Sequence, residues 1–159
     1  MTQNRVRFRF PRSVRVICSD DFGRLLRSSG PGSIRLGRDL ISVCAQTHEE
    51  PGRVRFGFTV GKHNAPRSVD RALVKRVMRE CSRLALPEIA SICAKHDVGI
   101  DISLRLRGPI KDVGRSLPVD EAKRLVRKGT QLCLSALRKR LNAVIQEAKN
   151  ANQNPGSAS

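Results

Sequence analysis

The stretch RSVDRALVKRVMRECSR, residues 67–83, decides how the rest of the chain is read. Wound as a helix at about 100° per residue, it gathers Val69, Leu73, Val74, Val77, Met78 and Cys81, with the following Leu84, on one half of the cylinder. Arg71, Lys75, Arg79 and Arg83, each four residues from the last, form a ladder along the other half, with Arg76 beside it. Like charges at this spacing repel by about a few tenths of a kcal/mol per pair. Asp70 points toward the apolar half, which leaves Glu80, between Arg76 and Arg83, to offset the ladder. The pattern predicts a neutralising partner outside the helix.

The whole chain repeats this imbalance. Its 159 residues hold 31 Lys and Arg against 14 Asp and Glu, a formal charge of +17 and a pI near 11.2. A polyanion is the first partner such a balance suggests. An acidic membrane is the second, but no apolar run approaches the roughly 18 residues of a span. The first 19 residues hold five Arg and no acid, as a transit peptide does, yet lack the apolar stretch of a secretory signal. The five cysteines are odd in number, widely spaced and free of any C-x-x-C pair. They read as reduced thiols acting as small hydrophobes in a cytoplasmic protein. Five Phe, with no Trp or Tyr, make a broad base-stacking platform hard to build.

Around the basic helix the chain organises as one α/β domain over residues 1–150, with a basic arm at 1–18 and a disordered polar tail, ANQNPGSAS, at 151–159. Ser19-Asp20-Asp21 starts a short helix that SSGPGS ends. LISVCAQT (40–47) and RVRFGFTVG (53–61) are β-rich runs joined by HEEPGR, which predicts a hairpin. The basic helix follows and is expected to end before Pro87. In DVGIDISLRLR (97–107), Val98, Ile100, Ile102, Leu104 and Leu106 alternate with Asp101, Ser103, Arg105 and Arg107. A long helix from 119 to about 149 opens with Asp120 and Glu121 at its positive dipole end, and Gly129 is a weak point in it. The expected order is α-β-β-α-β-α: a small mixed or antiparallel sheet covered on one face by helices, its other face polar and partly basic.

The stretch GFTVGKHNAPRSVDRALVKRVMRE, residues 57–80, resembles the signature of the bacterial ribonuclease P protein subunit. That family carries a strand ending G-[LF]-[ST]-V-x-K, a short basic loop, and a helix reading R-N-R-x-K-R-x-x-R-E. Here Gly57 to Lys62 match the strand, His63 to Arg67 the loop, and Arg71, Lys75, Arg76, Arg79 and Glu80 the helix. Upstream, FPRSVRVICSDDFGRLLRSSG (10–30) is similar to the family's opening segment. Ala72 and Leu73 stand where the family motif has Asn and Arg, and Leu26 stands where many members carry a second aromatic.

The resemblance implies a subunit that breaks no bond itself. In that family a catalytic RNA removes the 5′ leader of precursor tRNA with divalent metal, Mg²⁺, held mainly by the RNA, and the protein binds no cofactor of its own. The protein grips the catalytic RNA through its basic helix and loop and holds the leader between the first helix and the sheet. Carried onto this chain, the RNA contacts are Lys62, His63, Asn64, Arg67, Arg71, Lys75, Arg76 and Arg79, with Arg12 on the opening segment and Phe22 on the first helix. The family fold also has a left-handed strand–helix–strand crossover, here over residues 53–107, against a rule obeyed in about 98% of cases.

The chemistry of these side chains suits those roles. Arg forks bind phosphate oxygens bidentately, Lys acts as a point charge, and helix amides near Ser68 add donors. If about six phosphates are neutralised, affinity falls on the order of 10³-fold or more over a fourfold rise in salt. His48, His63 and His96 show no ligand spacing, and Asp97 and Asp101, about 13 Å apart on one strand, are too distant to chelate together. Asp101 amid Arg105 and Arg107 reads as a surface ion pair. No catalytic residue is assigned. Two other readings remain open: a ribosomal or ribosome-assembly protein, and a diverged copy of the subunit that binds RNA without serving the endonuclease.

Overall fold

The computed structural model describes residues 14, 19–27 and 29–153. Its elements are α1 (Ser19–Arg27), β1 (Ser33–Arg38), β2 (Ile41–His48), β3 (Val54–Thr59), α2 (Ser68–Lys95), β4 (Gly99–Leu106) and α3 (Val119–Gln153). The strands form a mixed α+β sheet in the order β1-β2-β4-β3, antiparallel except for the parallel pair β3 and β4.

Two sequence expectations are corrected here. Strand β1 is additional: Ser33–Arg38 pairs with β2 through the tight turn Asp39-Leu40, in which Asp39 has a φ of 51°. Asp is among the few non-glycine types that tolerate this region. The expected hairpin between 40–47 and 53–61 does not form, because β4 inserts between those strands and pairs with both. The connection after β2 instead crosses the start of β4, where Gly52 N–H donates to Val98 O at 2.9 Å and Ile100 N–H to Arg53 O at 2.9 Å. Adjacent segments pair often but not always, and β4 is the more apolar partner.

One sheet face carries Ile34, Val43, Ala45, Ile102, Leu104 and Phe56, and α2 and α3 pack on it as expected. The buried stripe of α2 (Val74, Met78, Cys81, Ala85, Ile89, Cys93) has helical spacing. This stripe continues past Pro87, so the helix runs on to Lys95 rather than ending before the proline. An interior proline costs about 3 kcal/mol, which is offset by burying Ile89 at about 1.5–3 kcal/mol together with the smaller Cys93. Asp97, at φ 57°, then closes the helix, and Val98 N–H returns to Cys93 O at 3.0 Å.

Gly129, a weak point of α3 in helix preference, is also a close packing contact. A Cβ there would lie 2.9 Å from Ile41 Cγ1 and 3.2 Å from Arg38 O, so glycine lets α3 settle onto the β1–β2 hairpin. Helix α1 lies on the opposite sheet face, where Cys44 Sγ donates to Leu25 O at 3.2 Å.

Candidate nucleic-acid interface

The loop between β3 and α2 is held by its own polar groups. Asn64 Nδ2 donates to Leu106 O at 3.2 Å, and Asn64 O accepts from Ile110 N–H at 2.9 Å, which fixes the loop to the end of β4. Arg67 donates to both oxygens of Asp70, at 3.0 and 2.8 Å, and to Val113 O at 2.6 Å. Asp70 is 1% exposed, and the hydrogen bond from Arg67 holds its carboxyl below the usual range. Arg71 Nη1 donates to Ala65 O at 3.0 Å and Pro66 O at 2.7 Å. Asn64, Arg67 and Arg71 thus shape the loop, and Arg67 in particular has its fork turned inward.

The remaining cations face outward. Lys62, His63 and Arg76 are exposed, and Lys75 and Arg79 are half-buried. The Arg79 guanidinium sits 6.0 Å from the Phe58 ring centroid, a cation–π contact that fixes its direction. Its Nε is buried without a hydrogen-bond partner among the described residues. Glu80 pairs with Arg83 at 3.4 Å, leaving Lys75, Arg76 and Arg79 as one continuous basic flank.

A second feature lies under α1, on the sheet face opposite the core. It holds two cavities, one lined by Leu25 and the other by Leu26. The smaller, about 380 Å³, is lined by Arg35, Arg105, Arg107, Gly37 and Ser103. Arg107 lies flat across Gly37, where a Cβ would be 2.1 Å from its Nη1, and Arg35 donates to Leu26 O. Ser103 Oγ is buried there without a partner among the described residues. The larger cavity, about 510 Å³, is lined by Arg24, Gln46, His48, Glu49, Glu50, Arg55 and Asp101.

Asp101 corrects an expectation. It pairs with Arg55 across the parallel strands, at 2.8 and 2.7 Å, and faces His48 Nε2 at 3.4 Å, rather than pairing with Arg105 or Arg107. Burial pushes the Asp101 carboxyl up, but His48 and Arg55 outweigh it and lower its pKa. Arg105 and Arg107 are left exposed on the cleft.

Sequence reasoning missed Arg35, Arg105 and Arg107 as site residues, although the alternation of β4 had placed the last two on the polar face. Phe22 lies in α1, but its side chain is outside the described residues, as is the whole of Arg12. Among the described residues no three His, Cys, Asp or Glu side chains converge as metal ligands, and no helix is long and apolar enough to cross a membrane.

A basic loop and helix within a parallel β–α–β unit, with an arginine-lined cleft on the far sheet face, give an α+β protein with two separate basic surfaces. The sequence model of the ribonuclease P family matches residues 10–128, and the chain belongs to that family. It is 30% identical over 97 residues to the ribonuclease P protein component of Paraburkholderia xenovorans, a match covering 61% of this chain and 60% of that one. It is 45% identical over 49 residues to the same component of Bordetella parapertussis, covering 29% of this chain and 40% of the relative. The Staphylococcus aureus RNase P protein superposes with a TM-score of 0.56 at 18% identity, over 77% of this chain and 94% of that one. A Staphylococcus aureus mutant described as defective in mRNA degradation activity gives 0.50 at 18% identity, over 86% and 88%. At that identity these two likenesses speak for the fold.

Proposed function

We propose that this chain is the protein half of a tRNA-processing ribonucleoprotein, gripping a catalytic RNA and the 5′ leader of precursor tRNA while the RNA cuts. The observation that carries this reading is the division of the cations between two faces. Lys62, His63, Lys75, Arg76 and Arg79 form one outward flank, and Arg35, Arg105 and Arg107 line a cleft on the other side of the sheet. The flank suits the phosphates of a large folded RNA, and the cleft suits a single strand passing under α1. Phe22 on α1 and Arg12 in the opening segment belong to the leader contact in this reading, with Phe22 contributing about 1–3 kcal/mol of base stacking.

Divalent metal, in this reading, is held mainly by the RNA. Asp70 and Asp101, the two described carboxylates with the most internal pairing, are each committed to arginine. The chain supplies grip and orientation, and the setting is the cytoplasm.

Reconstitution tests the proposal. The purified protein alone leaves precursor tRNA intact, and added to ribonuclease P RNA at low magnesium it restores cleavage at the mature 5′ end. Failure to rescue under those conditions rejects it. Co-purification with ribosomal subunits, without stimulation of leader removal, would move the chain to ribosome assembly.

A further inference from the structure

A further cavity, of about 660 Å³, belongs to neither face described above. It is a groove between α2 and α3 on the side of the helices away from the sheet. Its floor is apolar: Cys81, Ala85 and Leu134 are buried beneath Leu84 and Leu132, which are 65% and 41% exposed. Its rim holds Arg124, Arg127, Lys128 and Arg138, and no acidic residue lines it. The geometry points to a docking site for an acidic amphipathic helix of a partner protein.

Three observations select that occupant. The groove follows α3 from Arg124 to Arg138, about 21 Å at helical rise, which matches some four turns of a partner helix. Its floor is aliphatic and offers no aromatic face, so leucine-type side chains fit it better than nucleobases do. The rim already pairs with acids where the chain supplies them, Glu88 on Arg138 and Glu121 on Arg124 at 3.8 Å, which shows the contact an incoming glutamate would repeat. A second copy of this chain would set arginines against arginines at a net charge of +17.

The groove leaves most of the basic flank clear. Lys75 and Arg79 lie about 180° and 140° round α2 from Leu84, while Arg76, about 80° away, borders the groove.

The probe is a synthetic peptide of about 16 residues, long enough to span the groove as a helix, with a leucine stripe flanked by glutamates. A copy with lysine in place of glutamate is the control. Titrated into the full chain carrying labelled leucine methyls, the glutamate peptide shifts the Leu84 and Leu132 resonances and binds at least about tenfold more tightly than the lysine copy. The double variant Leu84→Ser, Leu132→Ser, altered only at exposed positions, loses about tenfold in affinity for it. Equal binding of the two peptides overturns the inference, and so does unchanged affinity of the double variant. A short single-stranded RNA that moves the same methyls and displaces the peptide assigns the groove to nucleic acid and overturns it equally.

Discussion

The Arg67 guanidinium closes a two-point hydrogen bond on the buried Asp70 carboxylate, through Nε at 3.0 Å and Nη2 at 2.8 Å. A residue at the centre of the family motif is therefore a brace: it ties the first turn of α2 to Val113 in the loop before α3. Asp70→Asn breaks the charge pairing and leaves Arg67 half-satisfied, so it lowers the thermal midpoint more than Asp120→Asn at the exposed start of α3. Equal midpoints for the two variants would show that the brace is dispensable.

The same pairing gives stability a pH dependence. Asp70 and Asp101 both have pKa values below the ordinary 3.8 in the folded chain. The stabilisation is fully present above that ordinary value and is lost as pH falls through the lower native ones. Denaturant titrations between pH 5 and pH 2 should show stability dropping from about pH 4 downward, and Asp101→Asn should flatten part of the drop. An unchanged profile in that variant would contradict the Arg55–Asp101–His48 arrangement.

At the alkaline end the sign reverses. Burial pushes the Cys93 thiol from 9.0 to about 11. The unfolded chain ionises first, so stability falls as pH rises through 9 toward 11. Cys93 is 0% exposed, and thiol reagents at pH 8 should modify it only on unfolding. Rapid native-state labelling would place it at the surface.

Gly129→Ala separates helix preference from packing. Alanine adds about 1 kcal/mol of intrinsic helix stability, but its Cβ meets Ile41 Cγ1 at 2.9 Å, and overpacking costs about 1–3 kcal/mol. A net loss of up to about 2 kcal/mol is expected in urea unfolding. A more stable variant would show that α3 does not need its close approach to β1 and β2.

Much of this fold is legible in the sequence because it is periodic. The stripe from Val74 to Cys81 and the alternation from Ile100 to Leu106 each declare one buried face, although the continuation of α2 past Pro87 was not legible. Non-local choices were not legible. Nothing within 40–61 signals that β4, some forty residues later, comes between the two strands. Strand β1 hides because Arg35, Gly37 and Arg38 dilute its Ile34–Leu36 alternation. At the site, the positions of the cations were readable but their commitments were not. Asp70 and Arg67 stand three apart on one helical turn, yet only the fold shows that the carboxylate is buried and the fork bound to it.

Arg79 and Phe58 offer a test of direction as distinct from charge. Phe58→Leu keeps the apolar contact with the core but removes the ring under the guanidinium. RNA affinity should fall by about two- to fivefold, corresponding to about 0.5–1 kcal/mol, with the salt dependence unchanged. A change in salt slope instead would mean that the ring governs how many phosphates are met.

With Arg67 and Arg71 hydrogen-bonded within the loop, the proposed RNA grip counts on about four outward cations, Lys62, Lys75, Arg76 and Arg79. The deciding measurement is the affinity of the chain for ribonuclease P RNA as a function of salt, set beside that of the triple variant Lys75→Ala, Arg76→Ala, Arg79→Ala. The wild type should weaken about 10²-fold over a fourfold rise in salt, and the triple variant should lose roughly 2.7 from the log–log slope. A triple variant with the wild-type slope, or a wild type indifferent to salt, would contradict an RNA grip built on this flank.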